Sequence, residues 1–484
     1  MNGPTAIGAT MSGTAPANGE LEQDAIGVVE DTVIGMASSA PAVSVAFTMA
    51  ALAAAAAYGS GPIIVITAVP MLVIAYAYRR LNLWNANCGA SYAWVGRAIN
   101  PYLGFMVGWM MVAGYVIATV SGVEVLGPSV LAVFGASSDN RWANIGIATA
   151  VGLLMLLLAV VGIRITARTQ IGFAIVEYTI LVGFAIVGLI AVASHWSGTY
   201  HMTSGWLSPG GVGGKGNAAA GFLIAVFIFT GWDGAIYVNE ETRQRQKSPG
   251  TAALLAVAAL LVIDTLCIVG LQGVVSPAKL QAHSASALVY SAQALGGSGW
   301  AKVMALALAL SVIATTLAGI VLTARILYAM ARDGLLPRPL ARVSRRFATP
   351  AVASIAVGLS IVGLAWVYLL ATSVQKAFDN VIAVAGILFA FFYIFTALAA
   401  IIFYRRRVLS GIRNLVTLGL LPLAAAGFLG WVIARSLMKA PASQVWSLAG
   451  VIGVGLVLMA GSRLIEKAPF FNLRREQDAG PDPS

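Results

Sequence analysis

The chain has 484 residues, of which 59% are hydrophobic and only 10% are charged. Because soluble domains carry about 25% charged residues, this composition excludes a soluble globular protein and predicts an integral membrane protein. The net charge of +11 would suit a nucleic-acid partner, but we expect none, since the Lys and Arg residues lie in short loops between apolar segments. Positive charge in such loops sets orientation in the membrane.

Apolar runs dominate the chain beyond its first residues. Residues 1–24 are small and polar and have no basic stretch before an apolar core, so they predict a disordered cytoplasmic tail and not a signal peptide. Runs of roughly 20 residues, enough to cross the hydrocarbon core, then recur twelve times. These runs, called spans 1 to 12, lie near 29–54, 60–81, 98–127, 143–163, 169–193, 218–240, 250–273, 299–328, 350–370, 379–403, 413–435 and 445–465. The sequence therefore predicts an all-α integral membrane protein with twelve transmembrane helices, followed by a tail at 467–484.

The distribution of basic residues predicts the orientation. With the N-terminus inside the cell, 22 of the 29 Lys and Arg residues fall in inner loops or the C-terminal tail, and 7 fall on the outer side. This bias follows the positive-inside rule. We therefore expect a multi-pass protein of the plasma (inner) membrane with both termini in the cytoplasm.

Two spans are interrupted by small and polar residues. Span 1 contains ASSAP at 37–41, and span 6 contains TGWDG at 230–234. Non-helical backbone at membrane depth is tolerated only where protein or a watery cavity covers it, so both sites predict broken helices that line a binding site. The breaks are five spans apart, as are spans 3 and 8, which are both about 30 residues long. This pattern is typical of an inverted-repeat transporter, with repeats at 25–200 and 201–405 and two further helices at 406–466.

Three stretches resemble the amino acid–polyamine–organocation permeases. They are ANCGASYAWVGRAINPYLGFMVGWM at 86–110, FTGWDGAIYVNEE at 229–241 and TARILYAMARDGLLP at 323–337. The resemblance implies a LeuT-like fold and uptake by alternating access, driven by protons or sodium or by exchange. Many members carry Gly-x-Gly in the first broken helix, where backbone N–H groups receive a substrate carboxylate. Here the matching place reads Ser39-Ala40-Pro41, and proline offers no N–H, which favours a polyamine or another amine over an ordinary α-amino acid.

Candidate substrate-binding residues lie in the two breaks and midway along span 3. They are Ala37, Ser38, Ser39, Ala40, Pro41, Tyr115, Thr230, Gly231, Trp232 and Asp233. The Asp233 carboxylate could receive a substrate amine, or it could cap the second half-helix, since Asp is a favoured N-cap. Trp232 could stack on a cationic substrate or serve packing alone. The serines could bind substrate through hydroxyl and backbone groups, or they could simply fill a proline kink.

Candidate coupling residues are Glu177, Thr315 and Thr316. Four acids lie inside spans, and no Lys or Arg lies near the centre of a span, a balance that suits protons, sodium or an ammonium group. Glu177 could bind and release a proton because burial raises a carboxylate pKa, or it could be structural. The threonines match a place where hydroxyls complete a sodium site in LeuT-like relatives, although threonine pairs also pack helices in membranes. Asp264 is expected to pair with a neighbouring hydroxyl.

The favoured function is a secondary transporter of amino acids or related amines and polyamines, coupled to protons. The alternatives are sodium-coupled or exchange transport of another small organic cation, a passive channel, and a transporter-like substrate sensor. No catalytic motif lies at membrane depth, so we expect no enzyme. The three histidines lack metal-ligand spacing, and we expect no metal site and no cofactor beyond a coupling proton or sodium ion. Spans 11 and 12 could form a homodimer contact, and Glu240 and Glu241 could latch an inner gate with the Arg-rich 325–346 segment.

Overall fold

A computed structural model describes residues 20–56, 59–137, 140–196, 199, 206, 218–283, 286–371, 374–464 and 468–473. Over these residues the chain is helical, and its one β-type contact is an isolated bridge between Ile26 and Thr242. Residues 1–19 and 474–484 of the two predicted tails lie outside the described residues, as does the predicted boundary between the repeats near 200.

The helices follow the predicted spans closely. In chain order they are α1 Val28–Ser38, α2 Pro41–Val43, α3 Met49–Ala56, α4 Ser60–Trp84, α5 Ser91–Ala98, α6 Pro101–Val133, α7 Arg141–Val161, α8 Ile163–Ala193, α9 Ala218–Ile228, α10 Gly234–Tyr237, α11 Ser248–Val274, α12 Pro277–Ala282, α13 Ala287–Arg332, α14 Ala351–Ala371, α15 Val374–Phe403, α16 Arg405–Val408, α17 Ile412–Asn414, α18 Leu421–Leu437 and α19 Ala442–Leu464. Short π-helical segments at Ser44–Thr48 and Leu415–Leu420 join α2 to α3 and α17 to α18.

Ten described helical stretches are long and apolar enough to cross a membrane. They correspond to every predicted span except 1 and 6, whose helices are broken. The predicted all-α membrane fold is confirmed, and the full count of twelve crossings stays a prediction for those two spans. Helix α13 departs from helical geometry at Gly296 and Gly297, so span 8 itself covers 298–332 and a separate short helix precedes it.

The break in span 1 centres on Ala40. Helix α1 ends at Ser38, and Ala40 adopts a left-handed conformation with φ +48° before α2 begins at Pro41. Proline suits the first helical position because its φ is already helical and its missing N–H would have no partner there. The sequence ASSAP therefore breaks the helix and restarts it within a few residues.

The break in span 6 depends on Gly231. Helix α9 ends at Ile228 and α10 begins at Gly234, and between them Gly231 takes φ +100°. Glycine adopts such an angle without a steric penalty because it has no Cβ. The two predicted breaks thus arise from different local causes, a left-handed residue before proline and a left-handed glycine.

Spans 1 and 6 run in opposite directions and meet at one end of the bundle, called here the N-terminal face. The N–H of Ala25 donates to the Glu241 carbonyl at 2.8 Å, and the N–H of Arg243 donates to the Ile26 carbonyl at 2.9 Å. Span 1 therefore begins where span 6 ends, as the predicted inverted repeat requires. Leu21, in the predicted disordered tail, is instead buried against the bundle.

The segment after the last span returns to the same face. A short 3-10 helix at Pro469–Asn472 places Phe470 against the Tyr92 ring, with centroids 5.6 Å apart. Phe471 stacks on Tyr102 with centroids 4.9 Å apart. Gly96 on α5 lies directly beneath the Phe470 ring, in the space that a Cβ would fill. Residues 468–473 of the predicted tail are therefore packed on the bundle.

Candidate functional site

A cavity of about 40 Å³ lies between the two breaks. Its walls come from the break in span 1, the middle of α6, the end of α9, the middle of α13 and Phe389 on α15. The lining residues are Ser38, Ser39, Ala40, Val43, Ser44, Tyr115, Ala118, Thr119, Ser121, Gly122, Phe227, Thr230, Val312, Thr315, Gly319 and Phe389. A water molecule needs only about 10–15 Å³ of such space, so the cavity has room for a few waters and is smaller than an amino acid.

Six of the thirteen predicted site residues line this cavity, namely Ser38, Ser39, Ala40, Tyr115, Thr230 and Thr315. The structure places the other seven behind its wall, namely Ala37, Pro41, Glu177, Gly231, Trp232, Asp233 and Thr316. The sequence therefore predicted the positions of the breaks correctly. Which residues of each break face the cavity depends on how the helices pack, and the sequence did not predict it.

The two breaks touch through their backbones. A Cβ on Gly231 would lie 2.6 Å from the carbonyl carbon of Ser38 and 2.7 Å from the Ser39 nitrogen. The Ser38 hydroxyl donates to the Gly231 carbonyl across this contact and also lies 3.0 Å from the Gly35 carbonyl. Small residues are thus required at the crossing.

Helix α13 is tied to the break in span 1 by one of the two predicted threonines. The Thr315 hydroxyl lies 2.8 Å from the Ala37 carbonyl, which is in the last turn of α1, and 2.8 Å from the Ser311 carbonyl. Thr316 instead donates to Val312 in its own helix and faces away from the cavity. The pair predicted to act together is therefore split between two faces of α13.

The cavity wall is rich in hydrogen-bond acceptors. Seven of its Ser and Thr hydroxyls have backbone carbonyls as their acceptors: Ser38, Ser39, Ser44, Thr119, Ser121, Thr230 and Thr315. A hydroxyl has a single proton to donate but two lone pairs, so each of these oxygens can still accept a hydrogen bond. The arrangement favours a ligand group that donates several hydrogen bonds, such as an ammonium.

Asp233 lies in a cage of tyrosines behind the cavity. Its carboxylate is fully buried and accepts hydrogen bonds from the Tyr237 hydroxyl and, at 2.7 Å, from the Tyr393 hydroxyl. The alternative role as a side-chain cap is wrong, since Asp233 occupies the N-cap position of α10 but makes no capping hydrogen bond. Tyr115 packs edge-on against Tyr237, with ring centroids 5.6 Å apart, and so separates the cage from the cavity that it lines.

Trp232 belongs to the same aromatic cluster. Its side chain is fully buried, stacks on Tyr393 with centroids 5.4 Å apart, and meets Tyr78 edge-on at 5.1 Å. This position matches the packing alternative, and stacking on a substrate would require the break to rearrange. Sequence reasoning missed Tyr237 and Tyr393, although the i to i+4 spacing from Asp233 could have indicated the first of them.

Glu177 contacts the restart of span 1. Its carboxylate accepts a hydrogen bond at 3.0 Å from the N–H of Ala42, which is the second residue of α2. A helix N-terminus attracts negative charge through its free N–H groups and its dipole. Since Pro41 has no N–H, Ala42 provides the first N–H of this half-helix, and Glu177 accepts its hydrogen bond.

Two ion pairs close the N-terminal face beneath the cavity. Arg325 on α13 forms a two-pronged contact with Glu241 at 2.6 and 2.8 Å, and both side chains are 0% exposed. Arg332 contacts Glu240 with two bonds of 2.8 Å. Burial raises the pKa of Glu240, but the hydrogen bonds and charge of Arg332 outweigh burial and hold it below its usual range. The glutamates thus pair with the Arg-rich 325–346 segment, as the latch hypothesis requires.

Comparison with known proteins agrees with this arrangement. A family model described as "Amino acid permease" matches residues 31–459. The chain is 27% identical to a branched-chain amino acid permease of Lactococcus lactis, over 56% of this chain and 61% of that relative. It is 24% identical to a D-serine/D-alanine/glycine transporter of Escherichia coli, over 64% of this chain and 65% of that relative. The match spans less than two thirds of the length of either relative.

A crystal structure of a manganese transporter mutant from Eremococcus coleocola has the same fold. It superimposes with a TM-score of 0.58 at 14% identity, over 92% of this chain and 94% of that chain. Similarity at this level of identity shows the fold alone, and it confirms the predicted LeuT-like architecture. The family and these relatives are transporters, which confirms the prediction that the chain is not an enzyme.

Proposed function

The chain belongs to the amino acid permease family, and from this premise we propose that it carries a small amino acid or related amine across the plasma membrane by alternating access. We further propose that transport is coupled to protons and that both termini face the cytoplasm, so that the N-terminal face is the inner gate. The observation that carries the proposal is the hydroxyl-lined cavity enclosed between two broken helices.

The chemistry of the cavity favours recognition through a substrate ammonium group. Its seven Ser and Thr hydroxyls present acceptor lone pairs, and apart from Tyr115 the remaining wall is apolar or small. The first N–H of α2, which could hold a substrate carboxylate, is already occupied by Glu177. The relatives named above carry amino acids with small or apolar side chains, and a side chain of that kind suits walls made by Val43, Phe227 and Phe389.

The conformation fits one state of an alternating-access cycle. The ion pairs of Arg325 and Arg332 close the N-terminal face, and the cavity is smaller than its proposed substrate. For transport to occur, the cavity must widen and these ion pairs must separate in the inward-open state. Because the breaks touch at Ser38 and Gly231, we expect both halves of the repeat to move together.

Two features bear on the coupling ion. Glu177 is a buried carboxyl bonded to the restart of span 1, where gain or loss of a proton would alter the anchoring of the cavity wall. Thr315 and the Ala37 carbonyl offer oxygens for the sodium alternative. The structural relative is a manganese transporter, and the described residues of this chain contain no group of three or more His, Cys, Asp or Glu that could hold a metal ion.

Flux measurements in proteoliposomes test the proposal. Pairs of an α-amino acid and the amine left by its decarboxylation, such as leucine with 3-methylbutylamine and serine with ethanolamine, would be compared as substrates. We expect saturable uptake that an inward proton gradient stimulates, with the amine competing for the same site. Uptake that never saturates would indicate a channel, and stimulation by sodium alone would indicate the sodium alternative.

Adjacent threonines provide a matched pair of variants. Thr315→Val removes a cavity hydroxyl and its bond to the Ala37 carbonyl, whereas Thr316→Val removes a hydroxyl that bonds only within α13. We expect the first variant to weaken substrate affinity about tenfold, the effect of losing about 1.4 kcal/mol, and the second to leave it unchanged. Equal effects would show that the cavity does not bind the substrate. The homodimer contact through α18 and α19 stays a prediction, which cross-linking in the membrane would test.

A further inference from the structure

Asp264 is a fully buried carboxyl inside the membrane-spanning helix α11. It is 0% exposed, and neither of its oxygens has a hydrogen-bond partner among the described residues. The sequence predicted a neighbouring hydroxyl as its partner, and that prediction is wrong for the described part of the chain. An ionised carboxylate without partners is so costly in an apolar interior that the group is neutralised instead.

The packing of α8 against α11 places Asp264 beside Glu177. The two helices run in parallel, with the Cys267 sulfur 3.8 Å from the Leu181 carbonyl and Gly270 packed on the backbone of Ala185. One helical turn before the contact of Cys267 with Leu181, Asp264 on α11 lies opposite Glu177 and Tyr178 on α8. Both carboxyls are buried, Glu177 being 1% exposed.

Among the residues that the structure describes, no ion pair joins either carboxyl to a Lys or Arg. Glu177 lies within the range of charge–charge interaction with Asp264, and Cys267 lies one turn further along the same helix as Asp264. Two titratable side chains on other helices packed against α11 have partners of their own. Asp31 accepts a hydrogen bond from the Thr242 hydroxyl, and the Tyr237 hydroxyl donates to Asp233. The side chain of Arg79 packs against Gly250, about 20 Å along α11 from position 264 at 1.5 Å per residue.

Further polar atoms adjoin the two carboxyls. The Tyr178 hydroxyl on α8 lies within electrostatic reach of both Glu177 and Asp264, and it has no hydrogen-bond partner among the described residues. The Ser311 hydroxyl, buried at 1% exposure, faces Glu177 from α13. Helices α8 and α11 are uninterrupted here, so they offer no free backbone carbonyls of the kind that bind sodium at broken helices.

We propose that Asp264 and Glu177 form a two-carboxyl proton site between α8 and α11, in which Asp264 holds the proton while ionised Glu177 binds the N–H of Ala42. When the proton passes to an oxygen of Glu177, its O–H bond to Asp264 breaks, and Asp264 becomes a carboxylate that accepts a hydrogen bond from the new Glu177 O–H. Neutral Glu177 accepts a weaker hydrogen bond from Ala42, and the restart of span 1, with Val43 and Ser44 of the cavity wall, is released. The inference rests on the proposed function for its role in coupling, and the site itself can be tested without transport.

Infrared spectroscopy of the full chain in lipid tests the site directly. The carbonyl stretch of a protonated carboxylic acid would be followed as pH is varied. We expect the Asp264→Asn spectrum to lack one such band that wild type shows, and the exposed control Asp24→Asn to keep it. An Asp264→Asn spectrum identical to that of wild type would overturn the proposal, as would a band that sodium removes at constant pH.

A second variant keeps the test informative if Asp264→Asn does not fold. Glu177→Gln retains an oxygen for the Ala42 N–H but removes the neighbouring negative charge, so the band of Asp264 should shift its titration to lower pH. An unshifted titration would contradict a shared site. In liposomes we expect Asp264→Asn to lose accumulation driven by a proton gradient while it retains exchange of labelled substrate, and unchanged accumulation would refute the coupling role. Absence of any uptake by wild type would refute the proposed function and leave the infrared result to decide the proton site.

Discussion

The buried pair of Arg325 and Glu241 gives the sharpest prediction about the gate. The guanidinium makes two bonds of 2.6 and 2.8 Å to the carboxylate, and both side chains are 0% exposed. Removing one partner of such a pair leaves an unpaired buried charge and costs about 3–5 kcal/mol. Replacing both partners with apolar residues costs far less, since no charge is then left buried. Arg325→Met and Glu241→Leu, alone and together, should therefore show strong coupling.

A double-mutant cycle measures this coupling, with the free energy of unfolding obtained in mixed detergent and SDS micelles. We expect each single variant to lose about 3 kcal/mol or more and the double variant to recover most of that loss. The pair of Arg332 and Glu240 is the matched control, because its side chains are 35% and 15% exposed and more exposed pairs contribute about 0–1 kcal/mol. Additive losses at Arg325 and Glu241 would refute the reasoning.

Alkylation of Cys88 measures the opening of the same gate in the folded protein. Its sulfur lies 3.7 Å from the Arg325 carbonyl and its N–H donates to Glu240 at 2.9 Å, and the residue is fully buried. A loss of about 3 kcal/mol changes the gate equilibrium by roughly a hundredfold. Alkylation of Cys88 should therefore rise strongly in Glu241→Leu, while Cys267, buried within α11, serves as the internal reference. Unchanged alkylation of Cys88 would show that the pair does not hold the gate.

Three further predictions concern the breaks and the control pair. Gly231→Ala should abolish folding or transport, because its Cβ would meet the backbone of the first break and φ +100° strains any other residue, whereas Gly183→Ala, with open space around it, should leave thermal stability equal or higher. Asp233→Asn should abolish uptake but preserve expression and folding, and near-normal uptake would remove Asp233 from the mechanism. The lowered pKa of Glu240 means that its pairing with Arg332 is fully present above the usual glutamate pKa of about 4.3 and is lost only as pH falls through the lower folded value. Cys88 labelling by a dipyridyl disulfide, which reacts at acid pH, should accordingly stay low as pH is lowered to about 4.3. A rise in labelling at a higher pH that is absent in Glu240→Gln would contradict this prediction.

Much of the fold could be predicted because membrane burial leaves a simple record in the sequence. Each span needs about 20 apolar residues, so helices such as Ser60–Trp84 and Ser248–Val274 follow from hydropathy alone. The breaks were predictable for a related reason, since ASSAP and TGWDG contradict the apolar pattern around them.

The site could be predicted only in part because it depends on contacts between distant residues. Tyr393 lies 160 positions from Asp233, whose carboxylate it binds, and nothing distinguishes it from other aromatic residues of span 10. Glu241 pairs with Arg325, 84 positions away, and not with Arg243 or Arg245, which lie close to it in the sequence. Thr315 and Thr316 are alike in composition, and only the rotation of α13 decides which one meets the cavity.

The docking of Phe470 and Phe471 on the N-terminal face has a practical consequence for anyone who labels this protein. A fluorescent reporter fused at Leu464 would delete both aromatic rings and expose the groove above Gly96. A reporter joined after Leu473 would leave that seal intact. Fluorescence-detected chromatography of the two fusions should therefore give a monodisperse peak for the longer chain and aggregation for the shorter one.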